Sequence, residues 1–223
     1  MSSTEKTDKS SDFPLTFSLH PGFNPIDLTQ NPQTRSEKLL ESLQSTIPEL
    51  SGEQYLRVIL AYEYSIQRML EEGVIYAANF VGRSQQDPSA ATTAQFTVLV
   101  REAELKASQP LNVLARHLRE ERTGREVDFV NLSIGRCLAV VQEDLFDPEV
   151  NLTGHETQNS RRTRQFQVIA PLASRGQLVF FALVTECIRD WNEYVAMMAE
   201  ICKTITWNET QQSSIASRLE GLL

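Results

Sequence analysis

Residues 164–186 read Arg164-Gln165-Phe166-Gln167-Val168-Ile169-Ala170-Pro171-Leu172, then Ala173-Ser174-Arg175-Gly176, then Gln177-Leu178-Val179-Phe180-Phe181-Ala182-Leu183-Val184-Thr185-Glu186. Two β-type runs joined by four small or polar residues read as a hairpin. The second run is apolar at consecutive positions, so both its faces need cover, and it belongs in the middle of a sheet.

Two more hairpins precede this one. Residues 126–132 and 136–142 flank Ser133-Ile134-Gly135. Residues 74–83 and 91–101 flank the polar loop 84–90, and in the second run Ala94, Phe96, Val98 and Val100 share one face by the period-two rule. Residues 13–19 alternate in the same way through Leu15, Phe17 and Leu19, which predicts a further strand, and His20-Pro21-Gly22-Phe23 reads as a turn. Residues 24–28 read as extended or irregular.

Helical signals fall between these runs. Asn31-Pro32 is a helix start, cap followed by first-turn proline. Leu39, Leu40, Leu43 and Ile47 then recur at helical spacing up to Pro48. Ser51-Gly52-Glu53-Gln54 has the form of a capping box. The helix it opens runs to about Glu72, with Gly73 as its stop, and Leu56, Ile59, Leu60, Ile66, Met69 and Leu70 are its expected buried stripe. The short link between these helices predicts a helical hairpin. Residues 110–122 form a third helix through Leu111, Leu114, Ala115 and Leu118. Asp190 is the expected cap of a last core helix buried through Trp191, Tyr194, Val195, Met198, Ile201, Cys202 and Ile205. Residues 143–163 read as the longest loop, acidic at Glu143, Asp144, Asp147 and Glu149, basic at Arg161 and Arg162 and on to Arg164. Its change of charge sign suits a segment that folds back on itself.

Sequential hairpins force antiparallel pairing, and the helices fall in blocks rather than between most strands. The expected class is α+β, an antiparallel sheet of about six or seven strands flanked by helices. Residues 1–12 read as a polar disordered leader, 13–207 as one domain, and 208–223 as a polar extension in which Ile215, Leu219, Leu222 and Leu223 suit a short helix.

Composition narrows function. The 223 residues are 41% hydrophobic and 22% charged, ordinary globular values. A net charge of −8 argues against binding nucleic acid, whose phosphates require lysine and arginine, and against an anionic membrane surface. No stretch approaches the roughly 20 apolar residues of a membrane span, and no secretory leader is legible, which predicts a cytoplasmic protein. The cysteines, Cys137, Cys187 and Cys202, have no metal-type spacing and read as reduced thiols. Of the three, Cys137 beside Arg136 comes nearest to a reactive setting.

The sequence holds no phosphate-binding loop, no dinucleotide-binding glycine turn and no nucleophile elbow. His20, His117 and His155 fall on a turn, a helix and a loop, none near a second ligand. Glu63, Glu71 and Glu72 share a helix with Arg57 and Arg68 and read as surface ion pairs. Asn131, Asn151 and Asn208 open glycosylation sequons that a cytoplasmic chain would not use. No catalytic, cofactor or metal residue is assigned. Tyr55, Tyr62, Tyr64 and Tyr76 cluster within 22 residues. Tyr62 and Tyr64, two apart on a helix, cannot both face the core, so they mark a candidate partner surface.

The closing layout resembles a known fold. The hairpin 165–182 precedes a helix carrying Asp190-Trp191-Asn192-Glu193-Tyr194 and ending in Lys203-Thr204-Ile205-Thr206-Trp207, and Leu132-Ser133-Ile134-Gly135-Arg136 sits in an earlier hairpin. As an order of elements over 13–207 this is similar to the PsbP-like fold. Residues 74–79, Val74-Ile75-Tyr76-Ala77-Ala78-Asn79, and 92–98, Thr92-Thr93-Ala94-Gln95-Phe96-Thr97-Val98, resemble uncharacterised actinobacterial proteins associated with type VII secretion gene neighbourhoods. The resemblance implies a non-enzymatic accessory role and names no catalytic residue. The sequence therefore predicts a cytoplasmic interaction protein with a protein partner and no cofactor. A small-ligand-binding module and an enzyme with a scattered site are the alternatives, and oligomeric state stays open.

Overall fold

A computed structural model describes residues 15–46, 48, 51–103, 110–146, 161–172 and 175–207. The elements run β1 (Leu15–Thr16), β2 (Phe23–Ile26), α1 (Pro32–Thr46), α2 (Gly52–Glu71), β3 (Val74–Arg83), β4 (Ala91–Glu102), α3 (Pro110–Glu121), β5 (Glu126–Leu132), β6 (Gly135–Phe146), β7 (Arg161–Leu172), β8 (Gln177–Thr185), α4 (Trp191–Thr204) and β9 (Thr206–Trp207). The expected leader 1–12 and extension 208–223 lie outside the described residues.

Seven strands form one antiparallel sheet in the order β2-β3-β4-β8-β7-β6-β5. The doubly apolar run is β8, and it is the central strand, as its composition requires. The fold is α+β. Strand β1 pairs with β9 in a separate two-stranded ribbon, and β1 is shorter than the run 13–19 predicted. Strand β2 forms within the segment read as extended or irregular, starting at Phe23, which was read as the end of the turn. It tolerates Pro25 because it is an edge strand with one side unpaired.

The segment 143–163, read as a loop, is strand at both of its described ends. Strand β6 runs on to Phe146 and β7 starts at Arg161, so Glu143 pairs in register with Arg164. The Arg164 Nε lies 3.4 Å from the Glu143 carboxylate, and its guanidinium covers the Trp191 ring at 4.4 Å. One acid and one base of this segment, Glu143 and Arg164, thus face each other across a hairpin. Residues 147–160 lie outside the described residues.

Strand alternation gives the sheet two faces. The first carries Ala78, Phe80, Phe96, Val98, Val168, Phe181 and Leu183, and Tyr194, Met198, Ile201 and Cys202 of α4 close over it. Burying a side chain such as Met198 or Ile201, each 1% exposed or less, stabilises the fold by roughly 2 kcal/mol. Phe80 is fixed from the side as well. A Cβ on Gly22 would overlap its ring, and one on Gly82 would come within 2.9 Å of it, so glycine at both positions lets the chain close on the aromatic. The second face is covered at one end by α3, through Leu111 and Ala115 on Val127, Leu138, Val140 and Ile169. At the other end α2 packs on β3, where Ala77 is fully buried.

Helix starts and stops follow local chemistry. Asn31 Oδ1 accepts from the Gln33 amide at 2.8 Å. The Ser51–Gln54 capping box forms with both of its hydrogen bonds, and Gly73 ends the turn after α2 at φ +83°. The burial of α2 departs from expectation. Tyr55 and Ile66 are its buried residues, while Leu56, Leu60 and Leu70, read as core, are 55%, 59% and 48% exposed. Apolar residues occur on two sides of this helix, and the hairpin partner α1 and strand β3 cover only one of them. Asp190 also departs from expectation. It precedes α4 but makes no capping hydrogen bond with its side chain, because its carboxylate is engaged elsewhere.

Candidate functional site

The partner surface expected at Tyr62 and Tyr64 lies on α2. Tyr64 is 48% exposed, and Tyr62 is half-buried, its hydroxyl pKa pushed up by burial with the Arg35 charge pulling the other way. Beside Tyr62, Glu63 forms an ion pair with Arg35 of α1 (Nη2–Oε2 2.5 Å and Nε–Oε1 2.9 Å), their side chains only 19% and 8% exposed. Glu63 is therefore an inter-helix tie and not the surface pair its position suggests. The expected Glu53–Arg57 pair is present on the surface at 2.5 Å. Tyr64 aligns with Leu56 and Leu60 at four-residue spacing, and Leu70, off that row, is exposed near the end of the helix. Four large apolar side chains thus face water along one helix. Glu53–Arg57 flank the stripe at its start and Arg68–Glu72 at its end.

The exposed part of the second sheet face, between α2 and α3, carries a row of amides. Asn79, Gln95, Gln165 and Gln142 stand in lateral register across β3, β4, β7 and β6, with Val184 of β8 among them. Gln95 Nε2 donates to Asn79 Oδ1 at 3.3 Å, Gln142 Nε2 donates to Gln165 Oε1 at 3.1 Å, and Arg125 Nε donates to Gln142 Oε1 at 2.9 Å. In the sequence these residues look only like the polar half of alternating strands. Their common row depends on register, which periodicity does not set.

A polar cluster lies on the opposite side, sealed from solvent. Asp190 is fully buried and its Oδ1 accepts from Ser84 Oγ at 2.5 Å. Thr92 Oγ1 and the Tyr194 hydroxyl lie 2.5 Å apart, and Thr185 Oγ1 donates to the Thr93 carbonyl at 2.6 Å. Burial works against a charge on Asp190. The Ser84 and Thr92 hydroxyls and the Arg189 charge more than offset it and hold the carboxyl below its usual range. Ser84, Thr92, Thr185 and Asp190 are each at most 2% exposed, so the cluster pins the β3–β4 hairpin to the start of α4.

The remaining chemistry is quickly placed. Burial pushes the Cys137 thiol up to about 11 and the Cys202 thiol to about 12, so neither is a thiolate near neutrality and Arg136 does not activate Cys137. Indeed Arg136 is on the other face of β6, stacked over the Phe129 ring at 3.8 Å. Cys187 is half-buried and accepts from the Thr93 amide at 3.4 Å. His20 and His117 are exposed, and His155 lies outside the described residues. Among the described residues no three of His, Cys, Asp and Glu come together as a metal site, and no helix is long and apolar enough to cross a membrane.

A groove that sequence reasoning missed runs between α3 and β5–β6, with a volume of about 560 Å³. Ala115 and Phe129 form its apolar floor, and Arg116, Arg119 and Arg136 line it together with Glu120. The signal in the sequence was Arg116 and Arg119 three apart on a helix. Arg136 joins them only through the β5–β6 hairpin.

Comparison with known proteins found no matching family model, no matching curated protein and no matching solved structure.

Proposed function

We propose that this chain is a non-enzymatic interaction protein, an adaptor or accessory factor of the cytoplasm, that docks an amphipathic helix of a partner protein along α2. The observation that carries the reading is the stripe of Leu56, Leu60 and Tyr64, each close to half exposed or more on one helix, with Leu70 exposed beyond its end. Aligned apolar side chains in water are costly and recur at protein-binding sites, where tyrosine is enriched. A stripe at four-residue spacing matches the ridge that a second helix packs against. Each end of the stripe carries both signs, Glu53 with Arg57 and Arg68 with Glu72, so the apolar row is bordered by paired charges that a partner meets as a polar rim. A link to secretion rests on the resemblance of residues 74–79 and 92–98 alone. The amide row on the sheet favours a second reading, a small-ligand-binding module, since half-exposed amides offer both donors and acceptors.

A photo-crosslinking residue at position 64, with a control at the exposed His117 on α3, tests the docking helix in the cells that make the protein. The expected result is one partner captured from position 64 and not from 117, lost in Leu60→Asp with the melting curve unchanged. Equal capture at both positions, or a second copy of this chain as the sole product, overturns the reading.

A further inference from the structure

The groove between α3 and β5–β6 departs from the molecule's charge balance. The chain as a whole is at −8, yet among the described residues this groove gathers three arginines against the single carboxylate of Glu120. The neighbouring arginines are neutralised locally. Arg122 is paired with Asp144, and Arg125 with Glu121 at 2.9 Å. Among the described residues no carboxylate oxygen lies within 4.0 Å of Arg116, Arg119 or Arg136. The pairing Arg116 could make with Glu120 has the base before the acid, the weaker order on a helix.

Two of the three are also held in place. Arg119 donates Nη2 to the Val127 carbonyl at 2.5 Å, which leaves the rest of its fork for another acceptor. Arg136 lies flat on Phe129, 3.8 Å from the ring centroid, with its edge free to donate. A guanidinium immobilised beforehand loses less freedom when it grips a ligand. Its planar fork matches two oxygens of one phosphate or carboxylate group.

We propose that this groove binds a small oxyanion, a ligand presenting a phosphate group to Arg116, Arg119 and Arg136 above the Phe129 floor. A multiply charged phosphate suits three cations opposed by one carboxylate better than a single carboxylate does. The site is separate from the α2 stripe, so it stands or falls independently of the docking helix.

Calorimetry on the intact chain with pyrophosphate, at a fixed ionic strength of about 0.15 M so that diffuse attraction is screened, tests it. Citrate serves as the carboxylate probe. The expected result is saturable one-to-one binding of pyrophosphate, weakened about tenfold or more in Arg116→Gln and again in Arg136→Gln. Amide shifts on titration should map to α3 and the β5–β6 hairpin. Arg101→Gln, an exposed arginine on β4, should bind as the unaltered chain does. Absence of saturable pyrophosphate binding, an equal loss in Arg101→Gln, or citrate binding without pyrophosphate binding overturns the proposal. Should Arg136→Gln loosen the hairpin, Arg116→Gln, which removes no stacked ring contact, decides alone.

Discussion

At the scale of single residues, Asp190 makes the sharpest claim. It sits in the sequence where a helix cap is expected, three residues before a glutamate, and local grammar alone reads it so. The structure takes its carboxylate inward to Ser84, 106 residues away in sequence. No local pattern reveals such a partner. A carboxyl held below its usual range in the folded state lends stability above its unfolded pKa, and that stability is lost as pH falls through the folded value. Asp190 is such a group, with an ordinary value of 3.8. Asp190→Asn should therefore unfold at lower urea than the parent at pH 7, and the gap should start to shrink as pH falls past about 3.8, where the unfolded parent's carboxyl takes up its proton, and close only below the lower pKa the carboxyl has in the fold. Ser84→Ala should cost about 1–3 kcal/mol, since it strips a donor from a buried carboxylate. A gap for Asp190→Asn that is the same at both ends of the pH range would show that shape, not charge, is what the site needs.

At the scale of elements, α2 shows where sequence reading works and where it stops. Its ends were legible because capping is a matter of neighbours. Ser51 and Gln54 need only each other, and Gly73 needs only its own φ. Its buried face was not legible. Leu56, Leu60 and Leu70 are as apolar as Ile66, and the choice between the two sides is made by how α1 and β3, the elements on either side of α2 in the chain, pack against it. The Arg35–Glu63 pair takes part in that choice, because it locks α1 to α2 in one rotation. The consequence is measurable by denaturant titration. Ile66→Ala should cost roughly 2–5 kcal/mol as a core truncation. Leu60→Ser should change stability by about 0.5 kcal/mol or less. Comparable losses at both positions would mean that the exposed stripe is covered within the monomer, and the docking helix proposed above would lose its basis.

At the scale of the whole molecule, the sheet is built from the inside out. The central strand could be named from composition because residues 178–184 are apolar on both faces, which suits a strand paired on both edges, although its second face is only half-buried at Leu178, Phe180 and Val184. Its neighbours could not be named. Hairpin order gives β7 beside β8, but β4 reaches the other side across the intervening α3, β5, β6 and β7, Val100 pairing with Val179. The closing pair β1–β9 joins the two ends of the fold through two-residue strands too short to show a period. Such topology sets a gradient of local stability. Strand β8 is paired along both edges and covered by α4, whereas β2 and β5 each have a free edge, and β2 is four residues long. Hydrogen exchange should follow that order, because amides exchange through the least costly opening that frees them. The slowest amides should be those of Val179, Phe181 and Leu183, exchanging only on global unfolding. Those of β5 should exchange faster, through openings that release α3 with the hairpin. Those of β2 should exchange fastest. If β5 is as protected as β8, the α3 layer and the α4 layer form one cooperative unit, and the arginine groove between α3 and β5–β6 is as rigid as the centre of the sheet.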